Sequence, residues 1–335
     1  MAKRARPGYH APDSIHGPAR NHMSRFAMLF PGQGAQSVGM LADLGAHHPV
    51  IGETFAEAGD ALGFDLADLV TNGPAETLDQ TEYTQPALVA ASVAAWRAFE
   101  AAGGPRPACV AGHSLGEYSA LVMAGSLDFA DALRLTRLRG QAMQNAVAPG
   151  EGAMAAVIGL ADEDVVAACA EVESAHGSVS AANFNAPLQV VIAGHAEAVA
   201  QASQIAKAKG AKLVKPLSVS VPSHCALMSP AADRLASHLS DIPLREPTLP
   251  VYHNVDARPR EDVAGIRRAL VAQLAESVQW TDTIRRIRET HCDLFLECGP
   301  GKVLSGLNKR IDKSIRSMAL SEPDDFEAAI AAVAE

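Results

Sequence analysis

A serine becomes a nucleophile when the chain presents its hydroxyl and a base takes the proton, so the residues weighed first are one serine and twelve histidines. Gly112-His113-Ser114-Leu115-Gly116 is the one Gly-x-Ser-x-Gly run in the chain. Ahead of it, Ala108-Cys109-Val110-Ala111 reads as a short strand, and the run Leu115 to Ala124 behind it suits a helix. Strand, sharp turn and helix are the setting of a nucleophile elbow, where N–H groups at the helix start can hold an oxyanion. A plain glycine-rich helix entry with serine as N-cap uses the same letters. Among the histidines, His10, His16 and His22 fall in a basic leader, His47 and His48 in a helical stretch, and His113 inside the elbow. His224, in Val221-Pro222-Ser223-His224-Cys225, stands where a small unit hands back to a larger one. A junction of units favours a cleft, although from position alone a solvated loop histidine is the commoner explanation.

Other reactive types offer less. Cys225 adjoins His224, but adjacent side chains diverge in extended chain, and the other four cysteines sit among apolar neighbours. Five cysteines without a C-x-x-C pair argue against a disulfide framework or a zinc ribbon and point to a reducing cytosol. Gly32-Gln33-Gly34 lacks the third glycine of a dinucleotide loop, and Gly299-Pro300-Gly301-Lys302 lacks Walker spacing. Both read as tight turns at strand ends that can offer N–H groups to negative charge.

The elements that position these residues follow an α/β pattern. Phe26 to Phe30 reads as a buried strand, residues 50–70, 85–101 and 262–290 as helical, and Pro250 to Val255 and Leu294 to Glu297 as further strands. Residues 150–219 read β-α-β-β-α-β, a ferredoxin-like unit. The expected architecture is a discontinuous large α/β subdomain, residues 26–149 and 220–321, with a small subdomain, residues 150–219, inserted. Residues 1–25 carry five Lys and Arg against one Asp, a net of +4, and read as a disordered leader or an added extension. The formal charge of −10 over 335 residues therefore leaves −14 on the rest. Such acidity, with 4% aromatic residues, speaks against a general nucleic-acid or membrane-surface role. The apolar stretch Ala87 to Ala95 is too short to span a bilayer.

Several longer runs together resemble one family, the discrete bacterial malonyl-CoA:acyl carrier protein transacylases of fatty-acid synthesis. The runs are Phe30-Pro31-Gly32-Gln33-Gly34-Ala35-Gln36, Thr84-Gln85-Pro86-Ala87, Gly112 through Leu121, Arg139-Gly140 and Asn183-Phe184-Asn185. Val221 through Met228, Val278-Gln279-Trp280 and Glu297 through Leu304 complete them, in family order over about residues 26–320. The resemblance implies an α/β-hydrolase-like large subdomain with an inserted ferredoxin-like one. It makes Ser114 the nucleophile, His224 its base, and the backbone carbonyl of Gln273 the group that orients the histidine. The Gln33 and Leu115 N–H groups become the oxyanion hole, and Arg139 the partner of the malonyl carboxylate, with His113 and Asn185 beside the substrate. A guanidinium can take that carboxylate bidentately, which disfavours neutral acyl groups. Ahead of Val278 this chain has Ala275-Glu276-Ser277 where relatives often carry a proline.

The implied reaction is ping-pong acyl transfer with malonyl-CoA as substrate, no bound cofactor or metal, and the phosphopantetheine thiol of acyl carrier protein as acceptor. A cytoplasmic monomer is expected. The rivals are a serine hydrolase or thioesterase acting on an acyl-CoA, and an acyltransferase dedicated to a polyketide pathway. Carrier proteins are acidic, so docking on an acidic body calls for a local basic patch. Lys302, Lys309, Arg310 and Lys313 supply one candidate, with Arg316 nearby and Lys207, Lys209, Lys212 and Lys215 elsewhere; solvated faces are the plain alternative.

Overall fold

Phe26-Ala-Met-Leu-Phe30 forms β1, and every one of its residues is buried, as expected of a strand covered on both faces. The computed structural model describes residues 25–335 apart from Glu173, Ser218 and Ser220; the leader lies outside the described residues. β1 is the centre of a five-stranded parallel sheet with β2 (Cys109–Gly112), β7 (Val251–Tyr252), β8 (Leu294–Cys298) and β9 (Arg316–Leu320), in the order β7-β2-β1-β8-β9. The chain order reverses at β1, so the crevice beyond the carboxyl ends of these strands is the natural ligand site of the sheet. The loops after β1, β2 and β8 all open there, carrying Gln33, Ser114 and Gly299 respectively. The one carboxylate within β8, Glu297, is fully buried and accepts the Leu304 and Ser305 N–H groups at 2.9 and 2.7 Å, capping the helix Val303–Ile311.

A second sheet lies between residues 152 and 216. β3 (Gly152–Ile158), β4 (Val179–Ala186), β5 (Gln189–His195) and β6 (Leu213–Pro216) are antiparallel in the order β4-β5-β3-β6. The helices Asp162–Ala170 and Ala196–Ala208 connect them, which is the ferredoxin-like arrangement, around a core that includes Val157, Val190 and Ile192.

The stretch 262–290 departs from the sequence reading, because it is two helices, Val263–Ala272 and Trp280–Glu289. Between them Val278 pairs with β4, donating to Ala182 O at 2.8 Å and accepting from the Phe184 N–H at 2.9 Å. Backbone groups used in that bridge cannot continue a helix, and the break ties the second sheet to the first. It also leaves Gln273, the residue that caps the first helix, with its carbonyl free to face a side chain.

Candidate active site

The glycines at both ends of the elbow are demanded by close approach. A Cβ on Gly112 would lie 1.9 Å from the Gly116 carbonyl carbon, and one on Gly116 would lie 2.1 Å from Phe30 O. The chain therefore turns directly against β1. Ser114 sits between them at φ 50°, a left-handed conformation that costs a serine energy and aims its hydroxyl away from the sheet. That conformation is pinned from behind, since the Ser114 N–H donates to Asn254 Oδ1 at 2.7 Å.

Ser114 Oγ lies 2.7 Å from His224 Nε2, and His224 Nδ1 lies 2.7 Å from Gln273 O. A carbonyl only accepts, so Nδ1 carries the proton and Nε2 is left to accept from the serine hydroxyl. His224 also has a left-handed backbone, φ 63°, and its N–H is held by Leu274 O at 3.0 Å. Its pKa is pushed down to about 3, first by burial and then by the positive charge of Arg139, so the ring stands neutral and ready as a base. None of its hydrogen bonds among the described residues goes to a carboxylate.

Ser114 and His224 line a cavity of about 320 Å³ between the two sheets. Gln33, His113, Leu115 and Arg139 face it from the side of the parallel sheet and its helices, and Met154, Asn183, Asn185 and Leu217 from the side of the antiparallel one. The backbone N–H groups of Gln33 and Leu115 have no partner among the described residues, and Leu115 directly precedes the helix Gly116–Met123. His113 Nε2 donates to Asn185 Oδ1 at 2.8 Å, and burial holds that histidine below its usual pKa. Arg139, 1% exposed, rises from the helix Phe129–Gln144 and donates to Gln85 Oε1 at 2.9 Å and Gln273 Oε1 at 3.0 Å. A second cavity of about 180 Å³ shares Gln33, His113 and Asn185 with the first and reaches Val303 and Leu307.

The four basic candidates Lys302, Lys309, Arg310 and Lys313 stand apart from this constellation, exposed on and beside the helix Val303–Ile311. Arg310 is engaged with Gln189 of β5. Among the described residues no cluster of His, Cys, Asp or Glu is placed to hold a metal ion, and all five cysteines are buried and unpaired.

Sequence reasoning missed the polar layer beneath the elbow. Glu117, fully buried, accepts from His253 Nδ1 at 2.6 Å, the Asn254 N–H at 3.0 Å and Gln273 Nε2 at 2.8 Å, and also from Asn254 Nδ2. Burial alone would raise its pKa, but the facing His253 and these donors hold the carboxyl below its usual value. One signal was available: Glu117 lies in an otherwise small and apolar run with no polar face to carry it to solvent.

The acyl transferase domain family matches residues 27–322. A malonyl CoA-acyl carrier protein transacylase of Salmonella typhimurium is 55% identical over 309 residues, covering 92% of this chain and 99% of the relative. Among solved structures, the malonyl CoA-acyl carrier protein transacylase of Coxiella burnetii superposes with a TM-score of 0.92 at 48% identity, over 94% of this chain and 99% of that one. A malonyl-transacylase solved in complex with its type II PKS acyl-carrier protein gives 0.90 at 52% identity, over 92% and 99%.

Proposed function

The chain belongs to the acyl transferase family, among its malonyl-CoA–acyl carrier protein transacylases, and on that premise we propose that Ser114 carries the malonyl group between the two thiols. The protein transfers malonyl from malonyl-CoA to acyl carrier protein. Ser114 Oγ attacks the thioester carbon while His224 Nε2 takes its proton, and the Gln33 and Leu115 N–H groups receive the oxyanion. The carbon–sulfur bond breaks, and CoA leaves as a thiol with the proton from His224. The phosphopantetheine thiol of the carrier then attacks the ester, its proton passes to His224 and on to Ser114 Oγ, and the serine is regenerated.

The observation that carries this reading is one cavity holding both the 2.7 Å Ser114–His224 contact and a buried guanidinium. A malonyl carboxylate finds its counter-charge there and a neutral acyl group does not, which favours malonyl as the group that Ser114 carries. The smaller cavity toward Val303 gives a phosphopantetheine arm a route beside the Lys302–Lys313 patch, where the acidic carrier docks. A role in fatty-acid synthesis, in the cytoplasm and as a monomer, is the setting we assign; among the described residues no helix is long and apolar enough to cross a membrane.

Incubation with malonyl-CoA alone tests the site. Intact-mass spectrometry should show one malonyl adduct that maps to Ser114 and disappears in Ser114→Ala; an adduct elsewhere refutes the assignment. With holo carrier protein added, free malonate as the main product would favour the hydrolase.

A further inference from the structure

Arg139 is held in an unusual way for a buried cation. Among the described residues its hydrogen bonds go to two amide oxygens, Gln85 Oε1 at 2.9 Å and Gln273 Oε1 at 3.0 Å, one on each terminal nitrogen. None of the ion pairs among the described residues includes it. Buried charges are ordinarily paired with an opposite charge. Here both acceptors are neutral, the centre of the Tyr118 ring lies 5.7 Å from the guanidinium carbon, and among the described residues Nε has no hydrogen-bond partner, which leaves charge and donors of the fork available beside the Ser114 cavity.

Each glutamine is placed by a separate feature of the fold. Gln85 sits on the helix Thr81–Ala101, which lies so close to the Arg139 helix that a Cβ on Gly140 would meet Thr81 O at 2.6 Å. The glycine after Arg139 thus lets the two helices approach until Gln85 reaches the guanidinium. Gln273 is turned by Glu117. A carboxylate only accepts, so Gln273 must offer it Nε2, at 2.8 Å, and that fixes Oε1 toward Arg139. The negative charge that does lie nearby is already engaged by His253, Asn254 and Gln273, one amide removed from the arginine.

We propose that Gln85 and Gln273 form a neutral cradle that determines specificity: they fix the guanidinium in position while leaving its charge for the carboxylate of the incoming acyl group. The inference rests on the reading of Arg139 as the malonyl partner and goes beyond it by saying why the cradle residues are amides. A carboxylate in place of either would hold Arg139 as firmly, but it would supply the counter-ion internally. Gln85 and Gln273 are positioning residues, since they act through Arg139.

The test is Gln85→Glu, nearly the same shape as the original residue, beside Gln85→Met, which removes the acceptor without adding charge. Acylation of Ser114 is followed by mass with malonyl-CoA and with acetyl-CoA, and thermal melting reports folding. Gln85→Glu should lose roughly 100-fold in kcat/KM for malonyl-CoA, through KM, with acetyl-CoA affected about threefold or less. Gln85→Met should lose about tenfold and keep its preference for malonyl. A Gln85→Glu variant that retains the preference overturns the cradle, as does a Gln85→Met variant that loses all of it; the second readout stands even if Gln85→Glu does not fold. Arg139→Ala separates the two layers. If it keeps the malonyl preference, the Arg139 reading fails and the cradle with it; if it loses the preference while Gln85→Glu does not, the cradle alone fails.

Discussion

The two walls of the cavity are built differently. On the parallel-sheet wall, Ser114, Arg139 and the neighbouring His224 are each fixed by hydrogen bonds to buried groups, and Glu117, His253 and Gln273 behind them are fully buried. The antiparallel wall offers Met154, Asn183, Asn185 and Leu217, and its side-chain bond into the opposite wall is the one from His113 to Asn185. The reacting groups thus border the cavity but are anchored in a fully buried layer, where each bond is strong and each broken bond costly. The other wall gives shape and one adjustment. Substitutions on the first wall should change the rate by orders of magnitude, and on the second by far less.

The largest effect expected is that of His224→Ala, about 10⁴-fold in the rate of Ser114 acylation, the scale found when a serine loses its base. The pH dependence sharpens it. Because burial and the Arg139 charge hold the His224 pKa down to about 3, the neutral, base-competent ring persists as pH falls through the ordinary histidine value. Followed with an uncharged aryl acetate, so that substrate titration plays no part, the acylation kcat/KM should stay flat between about pH 5 and pH 7. A fall centred near the ordinary histidine pKa of about 6.5 would mean that His224 is not held in this environment. In Arg139→Ala the second cause of the depression is gone, so any acidic limb should move to higher pH.

How much of this could be read from sequence follows the same division. The elbow was legible because its glycines answer a local demand, a turn packed against its own sheet, and local demands leave a spacing in the chain. The base and its orienting carbonyl came through resemblance of whole runs, since 110 residues separate Ser114 from His224 and 49 separate His224 from Gln273. The layer under the elbow was not legible. Glu117 meets His253 and Asn254 across 136 and 137 positions, and nothing in a charged residue's letter states that its partners will arrive from so far. The ferredoxin-like order was readable because strand and helix periodicities alternate cleanly through 152–216. The break at 273–279 was not, because the pairing of Val278 with β4 overrides a helical pattern by tertiary contact.

A smaller loss is expected on the antiparallel wall. Asn185→Ala removes the acceptor of His113 Nε2 and lets that ring turn toward the cavity. About tenfold in kcat/KM for malonyl-CoA, the worth of one neutral hydrogen bond, is the expected cost, with melting hardly changed. A loss matching that of His224→Ala would erase the distinction between the walls and make Asn185 part of the chemistry.

The smallest effect should come from outside both walls. Lys302, Lys309, Arg310 and Lys313 lie exposed around the helix whose Val303 and Leu307 border the smaller cavity. On a body with a net charge of −14, an acidic carrier approaches against the general field and is attracted only where cations gather. The basic residues of the antiparallel unit are a weaker competitor: Lys209 is already paired with Glu171 at 2.7 Å, and its neighbours border neither cavity. Rim charges of this kind govern encounter more than chemistry. Lys309→Glu combined with Arg310→Glu should therefore raise the KM for holo carrier protein by about three- to tenfold, an effect that shrinks as salt is added, while acylation by malonyl-CoA stays within about twofold. If the paired substitution leaves the carrier KM unchanged at low salt, docking belongs elsewhere on the rim. If instead acylation itself collapses, these cations act on the acyl donor, and the separation between reacting wall and docking rim does not hold.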